Sequence, residues 1–245
     1  MALPKFSDNP IYNMNIPSTN QMVKFRPFLV KEQKVLLIAL ESQDEKQILE
    51  AILNCIQSCV QGKLNIKFLT TFDIEYMFLK IRSKSVGEKT DLLIPCVSCD
   101  EKCEVKVDLE SIEINDIERE LELIKINDEY SLKLRYPRYA EVMNKVTSTT
   151  EKNLVSQIYI LIRTCLDSLM TAEERILFDD ETPEEVESFL DSLPGEVFEK
   201  IMKFSQSIPA LFHDIEYDCQ SCNHHNVRSL EGLTDFFQYA SPMKR

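Results

Sequence analysis

Two short cysteine motifs constrain this chain more than any other feature of its sequence. One reads Cys96-Val97-Ser98-Cys99 and the other reads Cys219-Gln220-Ser221-Cys222. An apolar or alternating segment, the pattern typical of a β-strand, leads into and out of each motif. Two strand–turn–strand units of this kind bring four thiolates tetrahedrally around one zinc ion. The sequence therefore predicts a zinc ribbon whose ligands are Cys96, Cys99, Cys219 and Cys222.

The two halves of the predicted ribbon are far apart along the chain. Residues 100–218, 119 in all, lie between Cys99 and Cys219. A site closed by four thiolates leaves no open position for water or substrate, so the predicted Zn²⁺ is structural rather than catalytic. Because the ligands close a long loop, we expect metal binding to be coupled to folding.

Other interpretations of the cysteines follow from their surroundings. A redox pair would lie at the start of a helix in a βαβ unit, and a disulfide scaffold would be typical of a small secreted domain; neither context is present. Cys103, His224 and His225 lie close enough to the motifs to replace one ligand, and this alternative stays open. Cys55 and Cys59, four positions apart on a predicted helix, form a further metal pair in principle, although core packing is the favoured interpretation.

Composition and charge exclude several classes of protein. The formal net charge is −13, and such a chain is repelled by the phosphate backbone of nucleic acid. No apolar run approaches the roughly 18–20 residues of a membrane span, and the N-terminal residues lack the pattern of a signal peptide. Eight cysteines without an export signal indicate a reducing cytoplasm. We therefore expect a cytoplasmic protein that binds neither nucleic acid nor membrane.

Catalytic motifs are also missing from the sequence. The chain has four glycines and no glycine-rich phosphate loop, nucleophile elbow or His-Glu-x-x-His pair. Of its three histidines, only His213 lies away from the cysteine motifs, and a structural role is favoured for it. The acidic residues at 173–174 and 179–181 lack the spacing of a calcium loop and indicate a solvated connector. The sequence therefore predicts that the protein is not an enzyme.

The predicted fold class is α+β, with an N-terminal β-hairpin plus helices, and a split zinc ribbon with a helical insertion between its two halves. Residues 11–16 and 22–28 flank a Pro/Ser/Asn turn and predict the hairpin. A helix from Val30 carries a continuous apolar run and is expected to be buried on most sides, with a buried strand as the alternative. Helical spacing then predicts helices over 48–60 and 72–81, the second capped by Thr71.

The segment between the two motifs is predicted to contain one strand and several helices. The strand is Ser131–Tyr136, and a broad apolar stripe from Leu154 to Leu169 indicates a helix. Thr182 opens a capping box with proline at the first helical position. The predicted regions are 1–87 for the N-terminal hairpin and helices, 88–136 for the first ribbon half and its strands, 137–210 for the helical insertion, and 211–245 for the second ribbon half and a C-terminal helix.

Several short stretches resemble a known family. The opening Ala2-Leu3-Pro4-Lys5-Phe6, then Ile16-Pro17-Ser18 and the run from Phe25-Arg26-Pro27-Phe28 to Lys34, are similar to the start of the baseplate hub family of T-even-type bacteriophages, which have contractile tails. The stretch Ile94–Cys99 and the closing residues from Cys219 to Phe237 resemble that family too. The Arg-Pro-Phe stretch and the aromatic C-terminal motif carry most of the resemblance.

The resemblance implies a part in building the central hub of the tail baseplate, with other tail and hub proteins as partners. It implies action in the host cytoplasm during assembly, either as an assembly chaperone or as a hub component that stays in the virion tail. Phe25, Phe28, Phe236 and Phe237 are candidate anchors for a partner, with ordinary core packing as the alternative. A zinc-ribbon module of a transcription or translation complex is the alternative function, which the negative charge disfavours.

Overall fold

The computed structural model describes residues 9–114, 122–141, 154–233, 235 and 239. The fold is a mixture of helices and strands that begins with the predicted hairpin. The chain forms two compact units, of which unit 1 comprises Met1–Ile66, Phe72–Asn115 and Ala210–Arg245, and unit 2 comprises Lys67–Thr71 and Asp116–Pro209. This division is coarser than the four predicted regions, which stay a prediction.

The first part of unit 1 is a small antiparallel sheet and three helices. The sheet has the order β1-β2-β3, formed by Tyr12–Asn15, Met22–Phe25 and Val60–Gln61. The helices are α1 (Val30–Ser42), α2 (Glu45–Cys59) and α3 (Thr71–Val86). The Asp44 carboxylate caps α2 by accepting hydrogen bonds from two backbone amides of its first turn. The predicted hairpin and these three helices are confirmed.

Helix α3 supplies much of the core of unit 1. Six of its large apolar side chains are each no more than 2% exposed: Phe72, Ile74, Met77, Phe78, Leu79 and Ile81. Residues spaced three and four apart lie on one face of a helix, so this pattern buries one broad side of α3.

Helix α1 is not buried on most sides, and that prediction is wrong. Only Glu32, Leu36 and Ala39 are buried. A continuous apolar run cannot direct every side chain to one side of a helix with 3.6 residues per turn. The aliphatic residues that do not face the interior therefore remain exposed.

Two further strand pairs in unit 1 carry the cysteine motifs. Strands β4 (Lys89–Pro95) and β5 (Lys102–Asp108) form one antiparallel pair. Strands β11 (Leu211–Asp218) and β12 (His225–Glu231) form the other, and β6 (Glu113–Ile114) extends it in the order β12-β11-β6. After β12, Gly232, Leu233 and Asp235 are helical. Phe236 and Phe237, on which the rest of the predicted C-terminal helix falls, lie outside the described residues.

Unit 2 combines an antiparallel sheet with three described helices. The sheet has the order β10-β9-β8-β7, formed by Arg175–Leu177, Leu166–Met170, Ser131–Leu134 and Leu123–Lys125. The helices are α4 (Leu154–Cys165), α5 (Pro183–Asp191) and α6 (Gly195–Gln206). The segment between the ribbon halves is therefore not helical throughout.

The helix predicted from Leu154 to Leu169 is wrong at its C-terminal end. The helix stops at Cys165, and the next five residues form β9, which pairs with β8. A short apolar run is compatible with both the helical period of 3.6 residues and the strand period of two, and here pairing with a neighbouring strand decides the structure. The capping box is confirmed, because Thr182 accepts from the Glu185 amide while the Glu185 carboxylate accepts from the Thr182 amide.

The acidic segment of unit 2 is more ordered than the predicted connector. It contains β10 and a short 3₁₀ turn, Phe178–Asp180. The Asp179 carboxylate lies 3.1 Å from an Nη of Arg135 and 2.9 Å from an Nη of Arg138, so it has a structural role. In the described part of both units, no helix has the length and apolar character needed to cross a membrane.

Candidate metal centre

The structure brings the four predicted cysteines together. Their Sγ atoms all lie within 4.8 Å of one another, with Cys96 3.7 Å from Cys222 and Cys99 3.6 Å from Cys219. A tetrahedral ion bound at a Zn–S distance of about 2.3 Å requires sulfurs about 3.8 Å apart. A disulfide requires about 2.05 Å, and the cysteines are free thiols. The donor set and its spacing therefore fit one tetrahedral metal ion.

Two turns of the same construction present the sulfurs. In the first, the Cys96 amide donates to the Glu101 carbonyl, five residues ahead, at 2.9 Å. In the second, the Cys219 amide donates to the His224 carbonyl at the same separation and distance. The residue after the second cysteine has a left-handed φ in both turns, 58° at Asp100 and 55° at Asn223. Aspartate and asparagine tolerate this conformation better than other non-glycine residues, which explains why each turn can close so tightly.

Residues at equivalent positions after the two motifs link the two turns to each other. Asn226, seven residues after Cys219 and 1% exposed, accepts a hydrogen bond from the Val97 amide at 3.0 Å. Cys103, seven residues after Cys96, holds the equivalent position, near the backbone amide of Gln220, which is the counterpart of Val97. The two halves are therefore related by an approximate twofold arrangement. A further link, the Tyr217 hydroxyl to the Pro95 carbonyl at 3.0 Å, joins the strands below the turns.

The thiols of Cys219 and Cys99 have pKa values shifted in opposite directions. The pKa of the Cys219 thiol is lowered to about 6, because the backbone amides of Cys222 and Ser221 donate hydrogen bonds to its sulfur. The pKa of Cys99 is raised to about 12, because hydrogen bonds with the neighbouring cysteines and burial together outweigh the amide of Glu101, which favours the thiolate. Thiolates this close repel one another, and a divalent cation removes that repulsion. The cluster is electrostatically suited to a cation.

The alternative ligands have other roles in the structure. The Cys103 sulfur also lies 3.6 Å from the Glu101 carbonyl and occupies the position equivalent to Asn226. Nδ1 of the exposed His225 lies 2.8 Å from the Asp218 carboxylate. The His224 carbonyl accepts hydrogen bonds from Cys219 and from the Asn226 amide group. The clustered sulfurs are those of the four cysteines first predicted.

Several other predicted residues are parts of the core. Cys55, Cys59 and Cys165 are each no more than 2% exposed, as expected for small core residues. Phe25 and Phe28, proposed as partner anchors, are 2% and 9% exposed and are therefore core residues as well. The other two candidate anchors lie outside the described residues.

A sequence model of the family described as T4 bacteriophage base plate protein matches residues 9–238. The chain belongs to this family. The match spans nearly the whole chain and includes all four clustered cysteines, so the resemblance to T-even-type baseplate proteins is confirmed. No curated protein and no solved structure matches the chain.

Sequence reasoning about this base plate protein missed Asn226 and Tyr217, which join the two halves of the cluster. Asn226 had a detectable signal, because it follows its motif at the same interval of seven residues as Cys103. Aligning the two motifs would have identified both residues as equivalent. Tyr217 has no such counterpart, since Ile94 occupies the equivalent position in the first half.

Proposed function

We propose that this base plate protein acts by protein–protein binding while the central hub of the tail baseplate is assembled in the host cytoplasm. The observation that carries the proposal is the family match over residues 9–238. The hub role rests on the resemblance of the Arg26-Pro27-Phe28 stretch and the closing residues to hub proteins. The partners in this proposal are other structural proteins of the phage tail.

The clustered cysteines hold one structural Zn²⁺ in this proposal, as a zinc ribbon split by an insertion that contains most of unit 2, Asp116–Pro209. Four sulfurs in a tetrahedral arrangement suit zinc or iron, and two strand-flanked Cys-x-x-Cys turns are typical of zinc ribbons. Residues Cys96, Cys99, Cys219 and Cys222 would hold the ion. Its chemistry there is to neutralise the thiolates and fix the two turns, which contributes to folding rather than to a reaction.

Elemental analysis of the purified chain tests the metal centre. We expect about one zinc per chain and no stoichiometric iron. Cys219→Ala should lose the zinc, whereas Cys55→Ala and Cys165→Ala should keep it, because those two thiols are buried and are not among the clustered sulfurs. Absence of metal from the wild-type chain, or loss of zinc from Cys55→Ala, would contradict the assignment.

Two cavities lined by described residues are small. One in unit 2 has a volume of about 130 Å³, and one in unit 1 about 210 Å³. Both are smaller than the roughly 300–1,000 Å³ of small-molecule sites. Titratable groups do line the cavity of unit 2, but two of its carboxylates, Glu141 and Asp179, are paired with arginines, which supports a structural role for them.

The assembly role is tested in infections that lack this chain. We expect unassembled hub proteins to accumulate and tails to be missing, and a plasmid copy of the wild-type chain to restore them. Mass spectrometry of purified virions then separates the two forms of the proposal: a hub component is present in virions, and an assembly chaperone is not. Normal tails in infections without the chain would contradict the proposed function.

Point variants suit this test better than removal of the C-terminal residues. The Tyr239 carbonyl accepts a hydrogen bond from the Leu93 amide at 2.7 Å, and Arg228 stacks on the Tyr239 ring. A chain ending after Gly232 would lose both contacts next to the metal centre. We therefore propose Phe236→Ala and Phe237→Ala to test the remaining candidate anchors.

A further inference from the structure

Helix α1 presents an apolar surface to solvent. Its buried residues, Leu36, Ala39 and Glu32, face the interior of unit 1. Four aliphatic side chains on its other sides are exposed by 44–80%: Val30, Val35, Leu37 and Ile38. Contiguous exposed apolar residues on a folded protein are a mark of an interaction site. Together with two lysines between them they define the α1 patch: Val30, Lys31, Lys34, Val35, Leu37 and Ile38.

A cavity adjoins the α1 patch. It has a volume of about 210 Å³ and lies between α1 and α2, with Val35, Ala51 and Cys55 on its apolar side and Lys31, Glu32, Asn54 and Ser58 on its polar side. That volume is below the range of small-molecule sites and suits one large apolar side chain. Anchoring of a single side chain beside an exposed apolar face is typical of a helix that binds in a groove.

The charge of the α1 patch is opposite to that of the chain. Lys31 and Lys34 are exposed; of the two carboxylates of α1, Glu32 is buried and bonded to Arg26 at 2.8 Å, and Glu41 is exposed in the last turn. Arg26, Lys31 and Lys34 against Glu32 and Glu41 give this surface a local charge of +1 on a chain of −13. The positive end of the α1 dipole adds to it. A binding partner that complements this surface carries negative charge.

We propose that the α1 patch binds an amphipathic helix of another tail protein, one whose apolar stripe is flanked by aspartate and glutamate. This rests on the proposed function and names the chemistry of the partner. From Val30 to Ile38 the patch extends for about 12 Å, or slightly more than two helical turns. A partner helix with apolar residues at i, i+3 or i+4, and i+7 matches that length and places one of them in the cavity.

A second copy of this chain is a less suitable occupant. A symmetric dimer would place the same patch on both sides of the interface, so Lys31 and Lys34 would face their own counterparts. That like-charge contact disfavours self-association, whereas an acidic partner places opposite charges against the same lysines.

Site-specific crosslinking in infected cells tests the surface and its partner together. A photoreactive benzophenone amino acid is placed at Ile38 or, as a matched control, at Val86, which is also exposed and in unit 1. We expect an adduct from Ile38 to a phage tail protein, at a peptide with an acidic amphipathic helical pattern, and no such adduct from Val86. Adducts only to a second copy, the same adducts from both positions, or a peptide that is not acidic would overturn the proposal.

Complementation of infections that lack the chain gives a second readout. The variants are Val35→Asp/Ile38→Asp and Lys31→Glu/Lys34→Glu, with Val86→Asp/Lys46→Glu as the control at exposed positions off the patch. All should retain the metal content and the melting temperature of the wild type, which shows that they fold. We expect each patch variant to lower the tail yield at least tenfold and the control to change it less than twofold. Because Lys31 also lies 3.3 Å from the Glu32 carboxylate, the single variant Lys34→Glu, which leaves that ion pair intact, keeps the test valid if a double variant does not fold.

The outcomes separate this inference from the function on which it rests. If the wild-type chain restores tails and both patch variants restore them equally, the α1 patch is not the binding surface and the proposed function stands. If infections without any copy of the chain already produce normal tails, the proposed function itself is wrong.

Discussion

Replacing Asn226 by alanine tests whether the two halves of the metal centre stabilise each other through this side chain. Its Oδ1 accepts from the Val97 amide at 3.0 Å, and its Nδ2 donates to the His224 carbonyl at 2.9 Å. A third contact, to the Tyr217 carbonyl at 3.4 Å, is long and adds little. Alanine removes both good hydrogen bonds and leaves the metal-binding sulfurs in place.

The expected cost follows from those two bonds. Each contributes a net stability of about 0.5–1.5 kcal/mol, so Asn226→Ala should lower the free energy of unfolding by about 1–3 kcal/mol. For a chain of this size, about 1 kcal/mol corresponds to a shift of about 2–4 °C, so the melting temperature should fall by about 2–12 °C. Zinc content should not change, because Asn226 is not among the clustered ligands.

Calorimetry of the zinc-loaded protein measures the effect, with two controls. Gln220→Ala changes an exposed side chain of the second turn and should shift the free energy of unfolding by less than about 0.5 kcal/mol. Cys103→Ser changes the equivalent position in the other half, where the sulfur is a weak hydrogen-bonding group, and should cost less than Asn226→Ala. The reasoning is refuted if Asn226→Ala melts at the same temperature as Gln220→Ala, or if it loses its zinc.

Four other perturbations have expected outcomes. Burial favours a higher pKa for Glu32, but hydrogen bonds from Arg26 and the Leu29 amide outweigh burial and lower that pKa. Glu32→Gln should therefore lower the free energy of unfolding by about 1.5–3 kcal/mol at neutral pH. Urea titrations should show this cost disappearing as the pH falls through the lowered pKa of Glu32 in the folded protein. Thr182→Ala breaks the capping box of α5 and should destabilise unit 2 by about 1 kcal/mol, measured by the same titrations. Gly232→Ala should cost about 1–2 kcal/mol in melting experiments, because φ is +64° there and the added methyl would lie 3.0 Å from a Glu75 carboxylate oxygen. A strong zinc chelator should lower the melting temperature of the wild type and leave that of Cys219→Ala unchanged, since the variant has no ion to lose.

Local signals in the sequence predicted most of the elements and the cysteine cluster. The capping residue Thr182 marks a helix start because its side chain satisfies an amide that the helix itself leaves unpaired. The two motifs could be matched across residues 100–218 because two strand-flanked Cys-x-x-Cys turns are typical of a single metal site. Both kinds of inference depend on chemistry within a few residues.

The errors arose where contacts distant in sequence decide the structure. The residues after Cys165 satisfy a helical pattern, yet β8 pairs with them as a strand, and no local signal indicates that neighbour. The apolar run of α1 indicates burial, but only packing shows which of its sides meets the interior. The burial of Phe25 and Phe28 is likewise a property of the whole of unit 1 and not of the Arg26-Pro27 context.

The separation of the two cysteine turns along the chain affects the order of events during synthesis. Ribosomes add about 5–20 residues per second, so the 120 residues from Asp100 to Cys219 take about 6–24 s to make. Throughout that interval Cys96 and Cys99 exist without their partners and are open to oxidation or to other metal ions in the cell. A nascent chain interrupted anywhere in those residues carries half of the ligands and cannot complete a four-sulfur centre. Metal loading would thus distinguish chains translated past Cys222 from shorter fragments before either meets a tail protein.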